Sequence, residues 1–282
     1  MHLLRQGEVI RSLIGTLVGA KGTRTNAGRQ EATIQPRHPS LIRDYVREVG
    51  GDPRSYRDTL PPHLFPQWLF PLQSKCLVGS PYPLKSALNG GGSFTLSAPL
   101  PATEPLLASA EVANVDDNGK RAILTIRATT GPMNDPERLT AMLDVFVPLA
   151  RSPKTKRAHP TIPRDAQEVR RFRWSAAKAR RFVALTGDIN PIHWLPLAAR
   201  GAGFRNVILH GYSTAAHAYE TIVREIFARD ATRVTAFSFR FTRPVVLPAK
   251  LSLFVDRRAK AWWIGKGTGD RPYASGAYDE RS

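Results

Sequence analysis

The chain has 282 residues, enough to bury one large core or two modest ones. Its single cysteine, Cys76, excludes an internal disulfide and a thiolate zinc site, and reads as a small buried hydrophobe. A net charge of +18, from 41 Lys and Arg against 23 Asp and Glu, favours an anionic partner. The charges are scattered, as in Arg170-Arg171, Arg180-Arg181 and Arg257-Arg258, and no zinc-finger, helix-turn-helix or basic-zipper pattern accompanies them, which argues against nucleic acid.

Residues 1–38 read as an N-terminal extension with room for one strand. The apolar run from Leu13 to Ala20 is interrupted by Gly15, Thr16 and Gly19 and is too short to span a bilayer. Glu8 within this region and Lys21 directly after it argue against a secretion signal, so a cytoplasmic protein is expected. From Pro39 the stripe Leu41, Ile42, Tyr45, Val46, Val49 predicts a helix with Ser40 as its cap, stopped by Gly50-Gly51-Asp52-Pro53. The proline-rich segment LPPHLFPQWLFPLQ (60–73) predicts ordered loop and short helix. A strand at SFTLSA (93–98) comes next, then a hairpin across Asp116-Asp117-Asn118-Gly119, then a strand at 141–150.

Residues 151–168 are polar, basic and proline-containing, the composition of a linker between a unit at 39–150 and another at 169–282. The second unit repeats the order of the first. A helix at 175–187 is capped by Ser175 and ended by Gly187; a loop leads to a longer helix at 211–227 with the stripe Ala215, Tyr219, Ile222, Val223, Ile226, Phe227. Strands follow at 233–244, 250–258, 260–267 and 272–279. A long helix followed by an antiparallel meander is an α+β arrangement, a sheet wrapped on one helix.

Chemistry concentrates in FVALTGDINPIHW (182–194) and ARGAGFRNVILHGYSTAAHA (199–218). Gly187 ends a helix, and Pro191 fixes its own backbone and holds Asn190 extended. Asp188, Asn190 and His193 then project from one rigid loop. A carboxylate and an imidazole that share one water form a competent acid/base pair, and Asn190 can hold the loop or orient the carboxylate. Taken singly, Asp188 reads as a turn residue and His193 as a structural histidine; their combination with Asn190, Pro191 and His210-Gly211 points to a site. His210 reads as a loop holder and His217 as packing. Asp58 and His63 share the same spacing but lack the Asn-Pro, and read as coincidence.

These residues resemble the signature of the MaoC-like dehydratases, the R-specific enoyl-CoA hydratases with the hot-dog fold. One hot dog needs about half of this length, so the resemblance implies a tandem double hot dog, each half a long helix wrapped by a curved antiparallel sheet. It implies a first half that has lost its site and accommodates the acyl chain, and a catalytic second half. It also implies reversible hydration of a trans-2-enoyl thioester to the (3R)-3-hydroxyacyl thioester, with Asp188 and His193 catalytic and Asn190 supporting. Gly211, at the N-terminus of the long helix, is expected to offer its N–H to the thioester oxygen and to let substrate approach closely. No metal or other cofactor is implied; the acyl group rides on coenzyme A or acyl carrier protein, both anionic, and a homodimer of double units is compatible with the fold. Trp194, bulky beside His193, is expected to narrow the entrance or stack on substrate. Rival readings are a non-catalytic acyl-thioester-binding or scaffold protein, a hot-dog thioesterase and, on charge alone, a nucleic-acid-binding protein.

Overall fold

The computed structural model describes residues 28–78, 80–84, 87–150 and 159–281. The reading of residues 1–27 therefore lies outside the described residues. Strand β1 (Gln30–Ile34) is followed by helix α1 (Pro39–Glu48), helix α2 (Pro66–Leu77) and strands β2 (Leu88–Leu96), β3 (Leu106–Asp117), β4 (Arg121–Gly131) and β5 (Leu139–Pro148). The second half runs β6 (Gln167–Trp174), α3 (Ala176–Thr186), α4 (Pro196–Gly201), β7 (Ile208–Leu209), α5 (Gly211–Glu225), β8 (Val234–Phe241), β9 (Val245–Val246), β10 (Ala249–Asp256), β11 (Ala261–Gly265) and β12 (Ala274–Glu280). No helix among the described residues is long and apolar enough to cross a membrane.

One ten-stranded sheet runs β1-β3-β4-β5-β2-β8-β12-β11-β10-β6. It is two five-stranded halves of equivalent order, back to back, with β2 and β8 paired antiparallel from Gly91↔Arg240 to Thr95↔Ala236. Each half lays its longer helix on the sheet: α2 against β1, β3 and β4, and α5 against β6, β8, β11 and β12. The seam is closed by aromatic rings, with Phe94 5.9 Å from Phe237 and Phe237 stacked on Trp262 at 5.3 Å. Such offset and edge contacts fill a core at low entropy cost. Cys76 lies in this core with its thiol directed at the Ala110 carbonyl, 3.2 Å away, and burial pushes its pKa up to about 11.

Several expectations change. His38, not Ser40, caps α1: its Nδ1 accepts from the Ser40 N–H at 3.2 Å. Ser175 occupies the cap position of α3 without a side-chain bond. β1 pairs with β3, so the N-terminal extension supplies an edge strand to the first half. Within the expected linker, Ile162 is buried, its N–H donates to Asp270 O at 2.9 Å, and β6 begins at Gln167. β6 escaped the sequence reading because Arg171 and Arg173 face water, Arg170 is only half-buried, and Phe172 and Trp174 alone are fully buried apolar residues. Helix α5 is buried from Tyr212 to Val223, on every side and not along one stripe.

A helix enclosed on all faces must satisfy its polar side chains internally. Thr214 Oγ1 donates to His210 O at 3.3 Å, Thr221 Oγ1 to His217 O at 2.7 Å, and His217 Nδ1 bonds Ser213 O at 2.7 Å. His217 packs edge-on against Phe172 and Trp174, and burial drives its pKa down to about 3. Glu220 takes its partner from the other half: Oε1 lies 2.8 Å from His63 Nε2, whose Nδ1 is 3.0 Å from the Tyr45 hydroxyl.

The Asp58/His63 spacing is indeed a coincidence, for a topological reason. The Thr59↔Pro101 bridge and the Leu60 N–H bond to Leu100 O occupy the place in the first half that β7 and β9 occupy in the second. The first half therefore has no counterpart of the loop before β7. Asp58 is exposed, while His63 points inward to Glu220.

Removing one member of a buried hydrogen-bonded pair strands the other. Glu220→Ala is expected to lower the unfolding free energy by about 3 kcal/mol, with Glu220→Gln losing less because its amide oxygen still accepts from His63. Denaturant midpoints of the two variants against the unaltered protein check this; equal midpoints for Glu220→Ala and the unaltered protein would contradict it.

Candidate active site

The site is a loop folded onto itself by short polar bonds. Gly187, at φ 78°, ends α3 in the left-handed region where a side chain is strained, and its N–H donates to Val183 O at 2.8 Å. The chain then makes successive side-chain turns. The Asp188 N–H lies 3.4 Å from Thr186 Oγ1, the Asn190 N–H 3.4 Å from Asp188 Oδ1 and the Ile192 N–H 3.3 Å from Asn190 Oδ1. Asn190 thus caps the short 3-10 turn Pro191–His193 and holds the loop. Trp194 braces it from outside: its Nε1–H donates to Ile189 O at 2.9 Å. At 39% exposure it is a surface strut, which gives its bulk a structural purpose.

His193 is anchored by backbone. Its Nδ1 lies 2.8 Å from Ile208 O on β7, so Nδ1 carries the proton and Nε2 keeps the lone pair. His210, the residue before α5, stacks on His193 with ring centroids 3.6 Å apart, and its Nε2 is 3.3 Å from Asp188 O. Its Nε2 is also 3.9 Å from Asp188 Oδ2. The potential ligand atoms of Asp188, His193 and His210 all lie within 4.8 Å of one another. The expected pair, Asp188 and His193, therefore converges, and His210 holds the loop through the Asp188 carbonyl, as expected, while also lying beside the pair.

Burial sets the electrostatics. It raises the Asp188 pKa, opposed by the nearby His193 and the Asn190 N–H. It lowers the His193 pKa, opposed by Asp188 and the bond to Ile208 O. His210 is driven well below the usual imidazole value by burial and then by His193. At neutral pH both rings are therefore neutral. An acid, a base and a ring that fixes them are what proton transfer to and from one bound water requires. The same three side chains are also donor types that divalent metals accept, as Asp-His-His.

Gly211 opens α5, where its N–H has no partner within the helix. Glycine here makes room for an aromatic ring. A Cβ would lie 2.6 Å from the Phe241 ring, so the position belongs to that aromatic neighbour. Tyr212, next in line, is buried among Phe65, Phe70 and Phe239. Sequence reasoning did not find the Ile208 carbonyl or Phe241. A backbone acceptor has no residue signature, and Phe241 reaches the site only through sheet pairing.

A family model described as MaoC like domain matches residues 149–272. The chain is 30% identical over 201 residues to "3-hydroxyacyl-thioester dehydratase X" of Mycobacterium tuberculosis, covering 68% of each chain. It is 29% identical over 184 residues to "Enoyl-CoA hydratase 2, peroxisomal" of Arabidopsis thaliana, covering 60% of this chain and 59% of that one. These matches span about two thirds of the first relative and somewhat less of the second. Among solved structures, a Mycobacterium tuberculosis protein described as having a double hotdog fold superposes with a TM-score of 0.58 at 11% identity, covering 91% of this chain and 96% of that one. With this relationship to a dehydratase over two thirds of both chains, a matching MaoC like domain and two hot-dog halves sharing one sheet, the chain belongs to the MaoC-like dehydratase family.

Proposed function

We propose that this protein catalyses the reversible addition of water to a trans-2-enoyl thioester, giving the (3R)-3-hydroxyacyl thioester, and the dehydration in reverse. The observation that carries the reading is the meeting of Asp188 and His193 on one largely buried loop, with the His193 ring held by Ile208 O so that Nε2 remains a base. The names of the relatives, a 3-hydroxyacyl-thioester dehydratase and an enoyl-CoA hydratase, support the same reaction class.

In this mechanism one water is held between the Asp188 carboxylate and His193 Nε2. Its oxygen attacks C3 while Nε2 takes one proton, and the π electrons move through C2 onto the thioester oxygen as an enolate. The Asp188 carboxylate stabilises the imidazolium that forms, and that imidazolium returns the proton to C2. Water has then added across the double bond, and the enzyme is restored. The Gly211 N–H at the head of α5, aided by the helix dipole, is the donor proposed for the enolate oxygen. The chemistry draws on no redox group, and the carrier is coenzyme A or acyl carrier protein, whose negative charge suits a chain of net charge +18. Asp188 and His193 require no metal for these steps.

Loss of an enoyl thioester's conjugated absorbance measures the reaction. Asp188→Asn and His193→Ala are each expected to lower kcat by about 100-fold to 10,000-fold. Unchanged rates in both variants would remove these residues from the mechanism, and release of free thiol in step with turnover would identify a thioesterase.

The pH profile follows from the direction of the shifts. The pair works as carboxylate and neutral imidazole; Asp188 is raised toward neutrality and His193 lowered away from it. Activity is therefore expected to hold from neutral into alkaline pH and to fall as acid protonates the two groups. A rate that instead rises on acidification would reverse the assigned protonation states.

Chelator is expected to leave the rate unchanged. Loss of activity in EDTA, restored by a divalent ion, would assign Asp188, His193 and His210 to a metal instead.

A further inference from the structure

The chain just after the catalytic loop is apolar where it meets water. Among the described residues seven large apolar side chains are exposed, and three of them, Trp194, Leu195 and Leu197, fall within four consecutive positions, with the exposed Pro196 among them. Exposed apolar residues scattered singly need no explanation, whereas a contiguous run marks a contact surface. The run is fixed to the site. The Leu195 N–H donates to Pro191 O at 2.8 Å, so α4 starts directly from the turn that carries His193. Trp194 bonds Ile189 O, next to Asp188, whose side chain keeps 15% of its surface exposed. The strip therefore borders the part of the loop where a reacting group meets solvent.

The charge beside this strip has one sign. Residues 189–219 hold no Asp or Glu, and their only Lys or Arg are Arg200 and Arg205. Arg200 stands three positions after Leu197, on the same face of α4. Gly203, at φ 86°, turns the chain back, and the Phe204 N–H donates to Ala199 O at 2.9 Å, which returns Arg205 to the end of that helix. Both arginines are exposed, and neither forms an ion pair with an acid among the described residues.

An apolar strip with two unpaired cations and no acid complements an acidic protein surface with an apolar centre. Coenzyme A is a small ligand, and small ligands are held in concave sites. A helix whose Leu197 stands 72% in water suits a protein instead. We infer that the Trp194–Leu197 strip, with Arg200 and Arg205, is the docking surface for an acidic acyl carrier protein that delivers the enoyl thioester to Asp188 and His193. The inference rests on the hydration reading above and deepens it by naming the carrier. The apolar strip supplies the contact, and the two arginines steer and orient the partner.

The test compares one trans-2-enoyl group, carried on acyl carrier protein and on coenzyme A, in the unaltered protein, in the double variant Arg200→Glu with Arg205→Glu, and in Leu197→Ala. On the carrier protein, kcat/KM is expected to fall at least about tenfold in the charge reversal and about threefold in Leu197→Ala, through KM with kcat held. On coenzyme A both variants are expected to stay within about twofold of the unaltered protein, which also reports that they are folded. An equal fall on both carriers overturns the inference and assigns the arginines to the phosphate that the two carriers share. Unchanged carrier-protein kinetics in both variants overturn it as well; if the same variants then lose binding to phosphatidylglycerol vesicles, the strip faces a lipid surface. Turnover on coenzyme A with none on the carrier protein, by the unaltered protein, overturns the inference and leaves the hydration reading standing. No turnover on either carrier overturns the hydration reading, and the inference falls with it. Should one variant fail to fold, the other decides.

Discussion

The enclosure of α5 is the constraint on which the rest of this structure depends. Twelve consecutive residues, Tyr212 to Val223, are buried between a sheet half and the neighbouring helices. That burial supplies much of the hydrophobic stabilisation, and it also imposes an obligation, because five of these residues carry polar side chains that water cannot reach. Threonine and histidine discharge it against the helix backbone. Glu220 cannot, and its bond to His63 makes the first half part of the second half's core.

The same enclosure creates the site. Because α5 starts at Gly211, directly after His210, its buried head lies against the Asp188 loop. Water is thinned there, so both imidazoles stay neutral and the carboxylate is poised upward. The loop itself is rigid through local bonds: Asn190 caps the turn, Trp194 ties it to Ile189, and Ile208 fixes the histidine ring. Catalytic geometry on a loop this constrained costs little further ordering when substrate arrives.

Duplication explains the asymmetry between the halves. Both keep five strands in equivalent order and one longer helix, but only the second keeps the segment between its first helix and its inner strand. In the first half Thr59–Leu60 stand where β7 stands in the second, and His63 just after them packs on Tyr45 and Tyr219.

The sequence by itself determined the residues whose signals are local. Asp188, Asn190, Pro191 and His193 lie within six positions, and turn chemistry alone places them on one rigid loop. The hairpin across Asp116–Gly119, the meander of the second half and Gly187 as a helix stop were equally legible, because strand alternation and a positive φ leave marks in consecutive residues. Only the tertiary structure decided what depends on distant partners. The charged strand β6 went unrecognised at the start of the second unit because its core-facing apolar residues are few, and α5 looked one-sided because its other faces are buried by segments far along the chain. His63 and Glu220 stand 157 residues apart, and the Ile208 carbonyl that fixes His193 has no side chain to announce it. Periodicity reports which way a residue faces within its own element; what it meets there is set by chain topology, which no local pattern encodes.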